Sequence, residues 1–133
     1  MKPHERWFYF ADQDLAFARA GFRDGFYAHV CSLSQQAVEK AMKAYLVWKQ
    51  RNPPKTHGLL ALHRLLDVSW MEAHLPALKR LSEFYLPTRY PDAIAGTLPD
   101  GLPDRGDAKQ ALAWADAVVQ LVRGKMRGAR GVG

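Results

Sequence analysis

Apolar residues recur at steps of three and four through the stretch from Asp24 to Arg51, which is the spacing of an amphipathic helix. Two neighbouring lines of mostly apolar residues give this stretch a wide face: Phe26, Val30, Leu33, Ala37, Ala41, Ala44 and Trp48 in one, and Tyr27, Cys31, Ser34, Val38, Met42 and Tyr45 in the other. A face this wide predicts a central helix that touches more than one neighbour. The remaining strip is polar, and we expect it to be solvated: Gln35, Gln36, Glu39, Lys40, Lys43 and Lys49.

The same period predicts a helix before the central one, from about Glu5 to Gly21. The short stretch from Gly21 to Gly25 provides two glycines that can take positive φ, and it predicts a tight reversal of the chain. Because the connection is short, we expect the first two helices to be antiparallel neighbours.

Three further helices are predicted after the stop at Pro53-Pro54. Thr56 is the expected N-cap of a helix that ends near Val68. The next predicted helix runs from Leu75 to Leu86, with Pro76 in its first turn. In the last one, Asp107 and Gln110 resemble a capping box, and the helix is expected to fray near Gly124. The four predicted long helices and one shorter helix indicate an all-α, antiparallel up-and-down four-helix bundle with an additional short helix.

Length and composition are those of a single helical domain over residues 1–133. Hydrophobic residues make up 48% of the chain, which is enough for a core, yet no apolar run reaches the length of a membrane span. The N-terminus carries charge too early for a secretory signal, and Cys31 is a lone cysteine that we interpret as a small buried hydrophobe. We therefore expect a cytoplasmic protein with no membrane association.

The net charge of +6 is compatible with an anionic partner such as RNA, a nucleotide or an acidic protein surface. Part of the excess lies in residues 123–133, a basic tail spaced by glycines. Two interpretations of this tail remain open, a frayed soluble end or a weak contact to nucleic acid.

Candidate ligand-binding residues fall in two places. Residues 87–106 contain four prolines and three glycines, and a loop of this length is often functional. Within it, Arg89 offers a donor fork for phosphate, Tyr90 a ring for stacking and Asp92 a partner to orient Arg89, although pairing within the fold would explain them equally. His57 is the second candidate, with a structural hydrogen bond as its alternative role. Signatures of hydrolases, phosphate loops and zinc sites are absent from the sequence, so no catalytic residue, metal or cofactor is predicted.

Three motifs together resemble the HEPN domain family. Gln36-Ala37-Val38-Glu39-Lys40-Ala41-Met42-Lys43-Ala44 is similar to the Gln-Ala-x-Glu-Lys-x-x-Lys-Ala core of the family's second helix. His57-x-Leu59-x-x-Leu62 and Arg89-Tyr90-Pro91 are similar to two later motifs, the second typical of an Arg-Tyr-Pro subgroup. The resemblance implies a helical bundle, often a homodimer, that is commonly encoded beside a minimal nucleotidyltransferase.

Many members of the family are metal-independent ribonuclease toxins with an Arg-x4–6-His motif. Here no histidine follows Arg89 at that spacing, since positions 94–96 are Ile94, Ala95 and Gly96. The leading hypothesis is therefore a non-catalytic HEPN module that binds a nucleotide or RNA phosphate and partners a minimal nucleotidyltransferase. One alternative is a divergent ribonuclease toxin of a toxin–antitoxin pair, in which His57 or Tyr90 replaces the missing histidine. A second alternative is a structural dimer anchored by Trp7, Phe10 and Trp114, which could equally be core residues.

Overall fold

The structure, a computed structural model, describes residues 1–85 and 101–132, with side chains up to Arg127. Five α-helices lie within these residues: α1 (Pro3–Arg23), α2 (Tyr27–Trp48), α3 (Leu59–Leu66), α4 (Leu75–Ser82) and α5 (Arg105–Val132). A short 3₁₀ helix, Ser69–His74, leads into α4. The all-α prediction is confirmed, with three long helices and two short ones in place of four long helices and one short one.

The α2 helix is the centre of the bundle, because it packs against α1, α3, α4 and α5. The predicted wide apolar face is buried along most of its length, from Val30 and Cys31 to Leu46. An ion pair between Asp14 and Lys40 joins α1 to α2. The pairs Arg19–Asp116 and Asp12–Arg123 join α1 to α5. The later residue of α1 pairs with the earlier residue of α5, so these two helices are antiparallel. Because α1 is also antiparallel to α2, the helices α2 and α5 run in the same direction.

The two glycines between α1 and α2 have different roles. Gly25 has φ 85°, which favours glycine and reverses the chain as predicted. Gly21 instead lies buried within α1, where a Cβ atom would come within 3.3 Å of the Cγ2 atom of Val30. Gly21 therefore allows α1 and α2 to approach closely beside the turn.

The α3 helix begins later than predicted. Its N-cap is Gly58 and not Thr56, and its first helical residue is Leu59. The Thr56 hydroxyl instead accepts a hydrogen bond from the Gly58 backbone N–H at 3.1 Å. The helix ends at Leu66, followed by Asp67 in the left-handed conformation with φ 51°. The next helix, α4, begins at Leu75 with Pro76 in its first turn as predicted, and it ends at Ser82.

The α5 helix begins earlier than predicted and continues further. The backbone N–H of Asp104 donates to the Asp107 carboxylate at 3.0 Å, and the N–H of Asp107 donates to the Asp104 carboxylate at 2.9 Å. This reciprocal pair is the capping box, one turn before the predicted Asp107–Gln110 pair. The helix then passes through Gly124 and continues to Val132.

The polar strip of α2 is the main departure from the sequence analysis. Gln35, Glu39 and Lys43 are only 1%, 7% and 4% exposed, so the prediction of a solvated strip is wrong for these three residues. They are spaced four residues apart and therefore lie above one another on a single face of α2. A buried line of this kind requires polar partners, because an unpaired buried charge is costly.

Two further sequence predictions bear on the surface and the core. Cys31 is fully buried, and burial, the largest cause, raises the pKa of its thiol to about 12. As for membranes, none of the helices in the described ranges is both long and apolar enough to cross a bilayer.

Candidate ligand-binding site

His57 supplies the polar partner of the buried line on α2. Its Nδ1 atom lies 3.0 Å and 3.2 Å from the two carboxylate oxygens of Glu39. An ionised carboxylate only accepts hydrogen bonds, so Nδ1 carries the proton and donates it. His57 therefore has the structural hydrogen bond that the sequence analysis gave as its alternative role, and the carboxylate fixes the orientation of the imidazole ring.

Glu39 is the centre of this network. Besides His57, its carboxylate accepts a hydrogen bond from the Lys43 ammonium at 3.0 Å and one from the Gln35 amide at 3.4 Å. The Gln35 amide also donates to the backbone carbonyl of His57 at 3.2 Å. Two contacts thus hold the segment before α3 against α2, one to the ring of His57 and one to its backbone. We call Gln35, Glu39, Lys43 and His57 the polar network.

The outer side of the network is aromatic and partly open. The Tyr85 ring lies 4.8 Å from the His57 ring, centroid to centroid, with a tilt of 31°. Desolvation, and after it the Glu39 charge, raises the pKa of Tyr85, so its phenol stays protonated and can donate a hydrogen bond. The His57 side chain is 48% exposed although its Glu39 partner is buried. The second ring nitrogen, Nε2, makes no hydrogen bond to the described residues and is the atom available to a ligand.

The other predicted site residues cannot be placed beside this network. Arg89, Tyr90 and Asp92 lie outside the described residues, so their role stays a prediction. In the sequence, Arg89 follows Tyr85 by only four residues. Within the described residues, Arg80 of α4 pairs with Asp107 of the α5 capping box at 3.4 Å, which ties these two helices together.

Sequence reasoning missed four of the residues around His57: Gln35, Glu39, Lys43 and Tyr85. The signal for the first three was present in the second helix, where Gln35, Glu39 and Lys43 repeat every four residues. Polar residues repeat with the same spacing on a solvated helix face. A buried polar line differs from a solvated one in having a partner from elsewhere in the fold, and here that partner is His57, which lies outside α2.

The aromatic residues suggested as dimer anchors divide into two kinds. Trp7 and Trp114 are partly buried against the core, and the Lys43 ammonium of the polar network lies 5.7 Å from the centre of the Trp7 ring. Phe10 is 53% exposed, and Phe17 on the same helix is 68% exposed. Only the second kind is available to another molecule over a large area.

The family model for the HEPN domain matches residues 4–125. The chain belongs to the HEPN domain family. The match begins inside α1 and ends inside α5, so all five helices of this HEPN domain fall at least partly within it. The helical bundle and the polar network are therefore part of a HEPN fold.

Solved structures and a curated protein are similar to this HEPN domain. The crystal structure of an archaeal HEPN homologue, ST0689, is 30% identical, with a TM-score of 0.75 over 95% of this chain and 99% of that one. TT1696 from Thermus thermophilus is 30% identical, with a TM-score of 0.73 over 94% and 99% of the two chains. A Methanocaldococcus jannaschii protein named "Putative toxin MJ1304" is 27% identical over 123 residues, covering 85% of this chain and 81% of the relative.

Proposed function

We propose that this HEPN protein is a binding module that holds a nucleotide or an RNA phosphate at His57, together with Arg89, Tyr90 and Asp92, without cleaving it. The observation that carries the proposal is the His57 ring, which is held from below by the buried Glu39 carboxylate and is half exposed above. A fixed, exposed imidazole next to a tyrosine ring is suited to a ligand that combines an anion with a flat base.

Electrostatics favour an anionic ligand at this place. The Lys43 ammonium offsets the Glu39 charge inside the network, so the buried carboxylate leaves no net negative charge to repel an anion beside the exposed His57 ring. Arg89, four residues after Tyr85 in the sequence, would add a second cation with a fork suited to phosphate. The net charge of +6 for the whole chain acts in the same direction.

Replacing His57 by alanine is expected to weaken binding of ATP or a short RNA. Loss of one hydrogen bond to a charged group costs about 1.5–3 kcal/mol, or roughly a 10- to 150-fold rise in Kd. Isothermal titration with ATP, and with RNA in a separate experiment, measures this change. His29→Ala removes an exposed histidine from the first turn of α2 and is the matched control. Equal Kd values for H57A and H29A would remove His57 from the site, and Arg89→Ala tests the second cation in the same way.

The curated relative named as a toxin supports a second candidate, a metal-independent ribonuclease. In that case His57 would act through Nε2 as a general acid or base, with its Nδ1 proton held by Glu39 as in other carboxylate–histidine pairs. RNA incubated with the protein in excess chelator decides between the candidates. Intact RNA supports the binding module. Cleavage that falls by about 10²–10⁴ in H57A would make the protein an enzyme.

The proposed homodimer would use the exposed phenylalanines of α1. Phe10 and Phe17 are seven residues apart and therefore lie on one face of the helix. Phe10 lines a cleft of about 280 Å³ together with Pro3, Arg6, Trp7 and Lys40. If two α1 helices met in antiparallel fashion, Phe17 of each copy would reach the cleft beside Phe10 of the other, which is the self-complementary contact that a twofold dimer requires. A minimal nucleotidyltransferase, as the family implies, stays the proposed second partner.

The substitution Phe17→Gln is expected to convert the dimer to a monomer of 15.0 kDa without unfolding it, because this side chain is 68% exposed. Sedimentation velocity measures the mass. Leu65→Gln alters an exposed apolar residue of α3, 39% exposed, and should leave the mass unchanged. A wild-type protein that sediments as a monomer at all concentrations would contradict the proposed dimer.

A further inference from the structure

A second group of polar and aromatic side chains lies towards the C-terminal end of α2, away from the polar network. Three rings form one contiguous cluster, since Tyr45 lies 5.7 Å from Trp48 and 5.4 Å from Trp70, centroid to centroid. Two lysines cover the rings: Lys49 lies 5.0 Å from the Trp48 centroid, and Lys125 of α5 lies 5.6 Å from the Trp70 centroid. We call these five residues the aromatic–lysine cluster.

The charge of this cluster is not balanced by carboxylates of the described residues. Neither Lys49 nor Lys125 makes a salt bridge within the described part of the chain, and both are exposed. A cleft of about 230 Å³ adjoins Trp48 and is lined by two more basic residues, Arg123 and Arg127, together with His4 and Glu5. Arg123 is paired with Asp12, whereas Arg127 makes no salt bridge to a described residue. The cleft is smaller than the about 300–1,000 Å³ of sites that enclose a whole ligand, so it suits part of a longer molecule.

From these contacts we infer that the aromatic–lysine cluster is a platform for single-stranded RNA, on which bases stack on Trp48 and Trp70 and phosphates pair with Lys49 and Lys125. Proteins that bind single strands without sequence preference combine aromatic rings with a basic surface in this way. The inference rests on the proposed RNA-binding function and adds a second contact surface to it. Glu39 and Trp48 are nine residues apart on α2, about 14 Å along the helix axis. Nine residues make about two and a half turns, so the two residues lie on opposite sides of the helix and the cluster is a contact surface separate from the polar network.

Relative strengths explain how a base can reach rings that lysines already cover. An exposed cation–π contact is worth about a two- to fivefold factor in an equilibrium constant. Stacking of a base on an aromatic side chain is worth about a 5- to 150-fold factor. A base can therefore displace the lysine from the ring, and the displaced ammonium is then free to pair with the neighbouring phosphate.

Among acidic partners, RNA fits this cluster better than an anionic membrane does. Binding to a membrane surface uses apolar side chains that project into the lipid. The strongly exposed phenylalanines of the described residues, Phe10, Phe17 and Phe26, belong to α1 and to the turn before α2. Trp48 and Trp70 are partly buried against the core, and a lysine ammonium lies over each ring, so what they offer a partner is ring surface and not a protruding group.

The test is fluorescence titration with an oligo(U) of roughly 12 nucleotides, within the about 4–16 nucleotides that single-strand sites cover. The double variant Lys49→Gln/Lys125→Gln is expected to bind at least about fivefold more weakly than wild type. Its salt dependence, the slope of log K against log salt, should be shallower by about 1.4, since each phosphate contact on a single strand contributes about 0.7. The matched control Lys79→Gln/Lys109→Gln removes the same charge from exposed lysines elsewhere and should bind like wild type.

Further variants and ligands separate this inference from the proposed function. Trp70→Leu should weaken oligo(U) binding and Trp70→Phe should restore it, with circular dichroism confirming that both fold. ATP affinity should depend on His57 and not on Lys49 or Lys125.

The outcomes separate the two proposals. If H57A binds ATP like wild type while the Lys49/Lys125 variant no longer binds oligo(U), the proposed function fails at His57 and the inference stands. Equal oligo(U) binding by the Lys49/Lys125 and Lys79/Lys109 variants, or no binding by wild type, would overturn it. So would a Lys49/Lys125 variant that loses only binding to phosphatidylglycerol vesicles.

Discussion

Replacing Glu39 by alanine is expected to lower the free energy of unfolding by about 3–5 kcal/mol, because it leaves a buried charge without its partner. The Lys43 side chain is 6% exposed and the Glu39 side chain 9%, so water cannot replace the lost carboxylate. His57 and Gln35 lose the same acceptor. Chemical denaturation of the two proteins measures the difference.

Two controls separate the buried pair from a general effect of removing a glutamate. Glu83→Ala breaks a more exposed pair with Arg80, whose side chains are 43% and 35% exposed, and it should cost only about 0.2–1 kcal/mol. The double variant Glu39→Leu/Lys43→Met replaces the buried pair with apolar residues of similar volume and should recover most of the stability. The ATP affinity of that double variant should nevertheless remain below that of wild type, because no carboxylate orients the His57 ring. A Glu39→Ala protein no less stable than Glu83→Ala would show that water enters the network.

A second large effect is expected at the end of α4, where two adjacent aromatic residues have different roles. Phe84 is 1% exposed and belongs to the core, so Phe84→Ala should cost about 3–5 kcal/mol. Tyr85 is partly exposed and stacks on His57, so Tyr85→Ala should cost only about 0.5–1.5 kcal/mol.

Ligand binding should show the opposite order for these two substitutions. Below its unfolding transition, the Phe84→Ala protein should bind ATP like wild type, since Phe84 is a buried core residue and it is the Tyr85 ring that pairs with His57. Tyr85→Ala should weaken binding through the loss of its stacking surface beside His57. Thermal unfolding and titration of both variants measure the two quantities. Equal effects of the two substitutions on ATP binding would place Tyr85 outside the site.

The helices were predictable from the sequence because burial of a periodic face decides them. The spacing from Val30 to Leu46 allowed one interpretation, a helix buried on several sides, and that helix is the centre of the fold. Helix ends were less predictable, because Asp104 and Asp107 offer two overlapping caps for α5. The helix α5 begins at Arg105, before the predicted start at Asp107, and Pro103 just ahead of it is buried in the fold. Local capping preferences carry no information about such tertiary contacts.

The candidate site was predictable only in part. His57 was identified from its position before a helix and from the family motif. Its partner Glu39 was assigned to a solvated strip, because the sequence alone gives no distance between residues 18 positions apart. The extended segment through Pro53 and Pro54 brings His57 back along α2 to the level of Gln35. Folding of this segment, rather than any helical period, creates the site.

The protonated, fully buried state of Cys31 makes this chain convenient for site-directed labelling. A thiol with a pKa of about 12 contains almost no thiolate near neutral pH, and the thiolate is the species that reacts with maleimides. Since the chain has no other cysteine, one introduced at an exposed position such as Gln110 or Gln120 of α5 would carry the dye alone. Energy transfer from such a probe could then report the separation of two copies, or the approach of a labelled RNA, in otherwise native protein.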